Sequence, residues 1–181
     1  MSTTCGCGQN EGAKNLGKLP KLETSRAPIT REEIRSAKLP SLKNRAVIGI
    51  GTSNKKIEDF IAELKSEGVT TVVDVRARPQ SRFCPWFNRK ALEVSLGAAK
   101  IKYVLMGEYF GNPKNAEGLR TLEGFVRHKN LSEKYKEGLK ELAKLAHSSR
   151  GSIALMCAER REEECHRKYI IADIGRVLGR K

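Results

Sequence analysis

The feature that most constrains this chain is an alternation. Four short apolar runs, 46–51, 70–75, 101–106 and 153–157, are separated by segments with helical spacing. The first and last runs are apolar throughout and the second is rich in β-branched residues, as in strands buried on both faces. Between them, Ile57, Phe60, Ile61 and Leu64 fall at i, i+3, i+4 and i+7. Ala91, Leu92, Leu96 and Ala99 form a second such stripe, and Tyr135, Leu139, Leu142 and Leu145 a third. A further helical stretch passes through Leu119, Leu122, Phe125 and Val126, and a last one carries Ile170, Ile171, Ile174 and Leu178. Gly68 is placed to end the first helix, Asn88 to cap the second, and Ser132 to start the long one. Strands alternating with helices predict an α/β fold, a three-layer sandwich with a mainly parallel sheet and helices on both faces.

Residues 1–45 break this pattern. Gly, Lys, Ser and Pro recur there without sustained periodicity, apart from a capping box at Thr30 and Glu33. They read as a basic, partly flexible extension, with 46–181 as a single α/β domain. The 35 Lys and Arg against 21 Asp and Glu leave a net charge of +14. The extension holds nine basic and four acidic residues, so most of the excess lies in the domain. Such a balance suits an anionic small molecule or nucleic acid as partner, although lysine-rich surfaces also serve solubility alone. Only 6% of residues are aromatic, too few for an evident base-stacking platform. No apolar run approaches the ~18–20 residues that cross a bilayer, so no membrane partner is expected. The start lacks the pattern of a secretion signal, and a cytoplasmic location is expected. The five cysteines then read as thiols. Their spacing matches no zinc knuckle, and neither a metal nor a cofactor is assigned.

In parallel sheets ligands sit at the carboxyl ends of the strands. Here those ends read Gly51-Thr52-Ser53-Asn54, Asp74-Val75-Arg76, Gly107-Glu108-Tyr109 and Cys157-Ala158-Glu159, and all are expected at one edge. Cys157 precedes the N-terminus of the last helix, where amides and a cation such as Arg167 lower a thiol pKa. It is the candidate nucleophile, set against the ordinary role of a strand cysteine as a packing residue. Glu108 and Glu159 are candidate acid/base groups. Asp74 and Arg76 alternate toward one face, Asp74 as a structural partner and Arg76 as the group facing the ligand. Arg76, Arg82 and Arg167 would hold an anion, with Thr52, Ser53 and Asn88 orienting it. Ser53 or Asn54 reads equally well as a helix N-cap. Cys165 and His166 join the candidate ligand-binding residues. As neighbours on a helix they would diverge by about 100°, which argues against their sharing one metal, although either could join Cys157 and Cys84 around zinc.

These residues carry a family resemblance. The succession Ile48-Gly49-Ile50-Gly51-Thr52-Ser53, Val73-Asp74-Val75-Arg76, Ser81-Arg82, Phe87-Asn88, Gly107-Glu108 and Leu155-Met156-Cys157-Ala158-Glu159 with Cys165-His166-Arg167 resembles the domain of unknown function 488, over residues 46–178. The resemblance implies a compact three-layer α/β fold among small cytoplasmic proteins, and no established activity. Two positions depart from the family pattern. Thr52 stands where a histidine is frequent, and Glu162 where a proline often separates the two cysteines. Asp-x-Arg after one strand and a cysteine ending another are also similar to rhodanese-like sulfurtransferases and cysteine phosphatases, at the level of architecture alone. The phosphatase version is disfavoured, because Arg160 and Arg161 come too early for an anion loop and Glu162, Glu163 and Glu164 intervene.

The leading expectation is a pocket at the carboxyl edge that binds or acts on a nucleotide or nucleic-acid-derived anion, using Cys157 if the chain is a cysteine-dependent enzyme. The alternatives are a non-enzymatic nucleic-acid-binding or regulatory module, and sulfur transfer through Cys157. Nothing in the sequence speaks to oligomeric state.

Overall fold

The computed structural model of the chain describes residues 46–114, 118 and 120–179. The chain divides into two units, Met1–Lys38 and Leu39–Lys181, and every described residue belongs to the second. The capping box at Thr30 and Glu33, and Leu119, lie outside the described residues.

The elements run β1 (Val47–Gly51), α1 (Ile57–Ser66), β2 (Val69–Asp74), α2 (Arg89–Ala98), β3 (Lys102–Leu105), α3 (Gly107–Phe110), α4 (Leu122–Leu131), α5 (Glu133–Ser148), β4 (Ser152–Cys157) and α6 (Arg167–Val177). A single 3-10 turn, Pro85–Phe87, precedes α2. The four strands form one parallel sheet in the order β1-β4-β2-β3. The last strand in sequence is therefore inserted between the first two.

Alternation along the strands divides the core into two layers. Ile153, Leu155 and Cys157 of β4 face one side with Val73, and meet Phe125, Tyr135, Leu142, Ile170 and Ile174 from α4, α5 and α6. Ala154 and Met156 face the other side with Ile50 and Val72, and meet Phe60, Leu64, Leu92 and Leu96 from α1 and α2. The fold is thus the expected three-layer α/β sandwich, with helices on both faces. Chain leaving β1 and β2 turns to one layer and chain leaving β4 turns to the other. A crevice opens at the carboxyl ends where neighbouring strands diverge in this way.

Local chemistry explains most boundaries. Gly68 adopts φ +63 just past α1, the left-handed geometry that glycine tolerates best. The hydroxyl of Ser132 accepts from the Tyr135 amide and caps α5, and Thr121 does the same for α4 through Gly124. The expected capping of α1 by Ser53 or Asn54 does not occur, since its N-cap is Lys56. Thr52 and Ser53 instead extend the ladder, their amides donating to Cys157 O at 3.0 Å and Ala158 O at 2.9 Å. The helix begins only after the chain leaves that ladder, at Ile57. Gly51 is where β1 and the turn after β4 come closest. A Cβ there would overlap the Glu159 carbonyl and the Arg160 backbone. Among the described residues no helix is long and apolar enough to cross a membrane.

Two substitutions test this packing by chemical denaturation. Leu142→Ala, at a fully buried position, is expected to cost about 2–5 kcal/mol. Gly51→Ala is expected to lower the unfolding midpoint by forcing the turn at 158–160 away from β1; an unchanged midpoint would mean that this close approach is absent.

Candidate functional site

The carboxyl edge holds a cavity of about 400 Å³, within the range of small-ligand sites. Its wall comes from the chain leaving β1 (Thr52, Ser53), the segment leaving β2 (Arg76 to Phe87), the chain leaving β4 (Cys157, Ala158, Glu159) and the turn before α6 (Glu164, Cys165, His166). Asn112, Arg120 and Leu122 close the far side. Three of the four predicted strand exits therefore meet here. The third does not, because β2 separates β3 from β4, and Gly107-Glu108-Tyr109 fold into α3.

One wall rests on a buried ion pair. The Asp74 carboxylate is fully buried at the end of β2 and receives Arg76 through Nε at 2.9 Å, Nη2 at 2.7 Å and the backbone amide at 3.0 Å. The Tyr103 hydroxyl donates to its second oxygen at 2.8 Å, and Arg76 Nη2 also reaches Phe87 O at 2.8 Å. Burial pulls the guanidinium pKa down, but the bond and charge of Asp74 outweigh it and the net shift is upward. Burial and then the Asp74 charge push the Tyr103 hydroxyl up. Arg76 thus lines the cavity with its charge already balanced. Arg78, two residues on, is exposed in the same wall.

The floor is a sulfur and imidazole cluster. One metal-ligating atom from each of Cys157, Cys165 and His166 lies within 4.8 Å of the others, and all three residues are buried. Cys165 Sγ stands 3.7 Å from His166 Nδ1. The divergence expected of neighbours on a helix is not found, because α6 begins only at Arg167 and both residues sit in the turn before it. The ring of His166 packs at 4.9 Å from that of Phe125, and its Nε2 faces Val75 O at 3.4 Å. Donation to that carbonyl places a proton on Nε2, and Nδ1 is turned toward the thiols.

The pKa values of the two thiols move in opposite directions. The bond from Cys157 lowers the Cys165 pKa against the cost of burial, with help from His166 and the first amide of α6. The same bond, together with burial, raises the Cys157 pKa. Of the two, Cys165 is the thiol favoured as thiolate, with Cys157 as its donor. Beneath them Arg167 is 1% exposed, and its Nη2 donates to Glu159 O at 2.9 Å. Its Nε and Nη1 have no hydrogen-bond partner among the described residues. A guanidinium so buried without a carboxylate is costly unless other negative charge lies near, and its charge does favour the thiolate of Cys157.

Of the residues singled out in the sequence, Thr52, Ser53, Arg76, Cys157, Glu159, Cys165 and His166 line the cavity, with Asp74 and Arg167 directly behind it. Ser53 adopts φ +45, a left-handed conformation unfavourable for a residue with a Cβ. Glu108, Arg82 and Asn88 do not line it. Glu108 is exposed on α3 and pairs with Lys134 at 3.3 Å. Arg82 is exposed in the loop before the 3-10 turn. Asn88 turns its Oδ1 to the Ser81 amide at 2.6 Å and so braces that loop. Cys84, weighed in the sequence as a partner for Cys157 around zinc, also lines the cavity, whereas sequence reasoning passed over Arg78, Asn112 and Arg120. Arg78 continues the alternation Asp74, Arg76, and that signal was there to read. Asn112 and Arg120 lie between α3 and α4 with no periodicity to mark them.

The family model described as Domain of unknown function DUF488 matches residues 56–174. The chain belongs to that family. In this DUF488 domain the match takes in the Asp74–Arg76 pair, Cys157 and the Cys165-His166-Arg167 run, while β1 and the Thr52–Ser53 turn precede it. No curated protein and no solved structure matches the chain.

The buried pair gives a direct test by urea unfolding. Asp74→Ala leaves Arg76 buried without its carboxylate, and a loss of about 3–5 kcal/mol is expected. Tyr103→Phe removes one bond to the same carboxylate and should cost about 1 kcal/mol. Equal small losses for both would remove the ion pair as the support of this wall.

Proposed function

We propose that the cavity binds an anionic ligand of the nucleotide or nucleic-acid-derived class and presents the Cys157–Cys165 thiol pair to it. The observation that carries this reading is the charge of the wall. Arg76 is balanced by Asp74, and Glu164 is paired with Arg161 at 3.0 Å. Arg78 and Arg120 remain, with no carboxylate in ion-pair reach among the described residues, against the single carboxylate of Glu159. Two cations facing a cavity of this size suit a phosphate group, and the overall charge of +14 draws anions toward the domain. Arg78 and Arg120 hold the charged group, Ser53 and Ser81 offer hydroxyls beside it, and the apolar faces of Phe87 and Leu122 border the remainder. Cys157 and Cys165, at the floor, are the reactive groups such a ligand would meet.

Calorimetric titration with adenosine monophosphate tests this directly. Saturable binding is expected, weakened about tenfold or more by Arg78→Ala and by Arg120→Ala, the loss of one charge-assisted hydrogen bond in each case. Bound adenosine monophosphate should also slow alkylation of Cys157 and Cys165 by iodoacetamide. Absence of saturable binding, or binding indifferent to both arginines, overturns the reading. Tighter binding of a single-stranded oligonucleotide, falling steeply with salt, would move the ligand from nucleotide to polymer.

A further inference from the structure

We propose that Cys157, Cys165 and His166 form a three-ligand site for a thiophilic divalent cation of the zinc class, with its fourth position open to the cavity. The proposal rests on the pocket reading only for what occupies that fourth position. Zinc bonded to thiolate at about 2.3 Å and imidazole at about 2.0–2.1 Å sets neighbouring ligand atoms roughly 3.5–3.8 Å apart in a tetrahedron. The Cys165 Sγ to His166 Nδ1 distance of 3.7 Å falls in that interval, and all three ligand atoms lie within 4.8 Å of one another. Small side-chain rotations close such a triangle on an ion.

Three further features fit a metal centre. The imidazole presents Nδ1 while its Nε2 is held by Val75 O at 3.4 Å, the outer-shell contact that fixes the tautomer and ring of a metal-ligating histidine. Two thiolates and a neutral imidazole would cancel the charge of a dication. Finally, the three residues line the cavity, so the fourth position faces the space assigned to the anion. Three protein ligands with one open position is the arrangement of catalytic zinc sites, whereas structural sites are closed by a fourth side chain. An ion here would bind an oxygen of the ligand or a water beside it as a Lewis acid.

The test uses the full chain carrying Cys5→Ser and Cys7→Ser, so that thiols of the N-terminal segment do not contribute, stripped with a chelator under reducing conditions. Titration with cobalt(II) is expected to give one equivalent of tightly bound ion, with thiolate-to-cobalt charge transfer in the near ultraviolet and the intense visible bands of a tetrahedral site. Cys157→Ser, Cys165→Ser and His166→Ala should each weaken binding at least about tenfold. X-ray absorption of the zinc-loaded protein, which needs no further variant to fold, should show two sulfur neighbours and at least one imidazole nitrogen. Lack of thiolate charge transfer, or a first shell without sulfur, overturns the site. Adenosine monophosphate binding to the stripped protein is measured alongside: anion binding without cobalt binding rejects the metal alone, and cobalt binding without anion binding rejects the pocket reading alone.

Discussion

The structure depends on the backbone ladder that continues beyond the ends of three adjacent strands. Thr52 N to Cys157 O, Ser53 N to Ala158 O and Val75 N to Met156 O tie the exits of β1 and β2 to the exit of β4. Placing β4 between β1 and β2 makes this tie available, because it gives β4 a parallel partner on each side. Each of those bonds satisfies backbone groups that burial would otherwise leave unpaired. Together they bring chain segments a hundred residues apart to one rim. Side chains only decorate that rim; its position is a property of the ladder.

Behind the rim the molecule buries charge in two different ways. Asp74 and Arg76 are complete: the carboxylate receives three bonds from Arg76 and one from Tyr103. Such a pair fixes the direction of the chain after β2 more than it adds net stability. Arg167 is incomplete, with one bond to Glu159 O and two nitrogens unpartnered among the described residues. Its charge favours the thiolate of the neighbouring Cys157. A complete pair braces the wall, and an incomplete one sits where chemistry is proposed.

The architecture was legible in the sequence because period is a local property. The valines at 72, 73 and 75, the apolar run 153–157, and the stripe of Ile57, Phe60 and Leu64 need no knowledge of the rest of the chain. Ser132 as a cap was readable for the same reason. Strand order was not, since no pattern in residues 152–157 says that they lie between β1 and β2. That order decides which exits form the cavity, so Glu108, at the exit of the edge strand, was grouped with residues it does not meet. Cys165 and His166 were read as helical because α6 follows at once. A turn of two residues before the helix changes the geometry between them, and boundaries are the least local part of a helix. Arg120 reaches the cavity from a stretch without period, where nothing but tertiary contact reveals its place.

The wall of the cavity is assembled from segments that belong to different crossovers: the turn at 52–53, the stretch from 76 to 87, and the run from 157 to 166. Each hangs from its own strand, and the strands are held by backbone bonds indifferent to side-chain identity. A change of residue in the stretch from 76 to 87 therefore alters what the cavity admits without disturbing the sulfur cluster, and the reverse is also true. On the proposed function, recognition and reactivity would be separate traits of this domain, and relatives would be free to keep one chemistry while exchanging the molecules on which it is used.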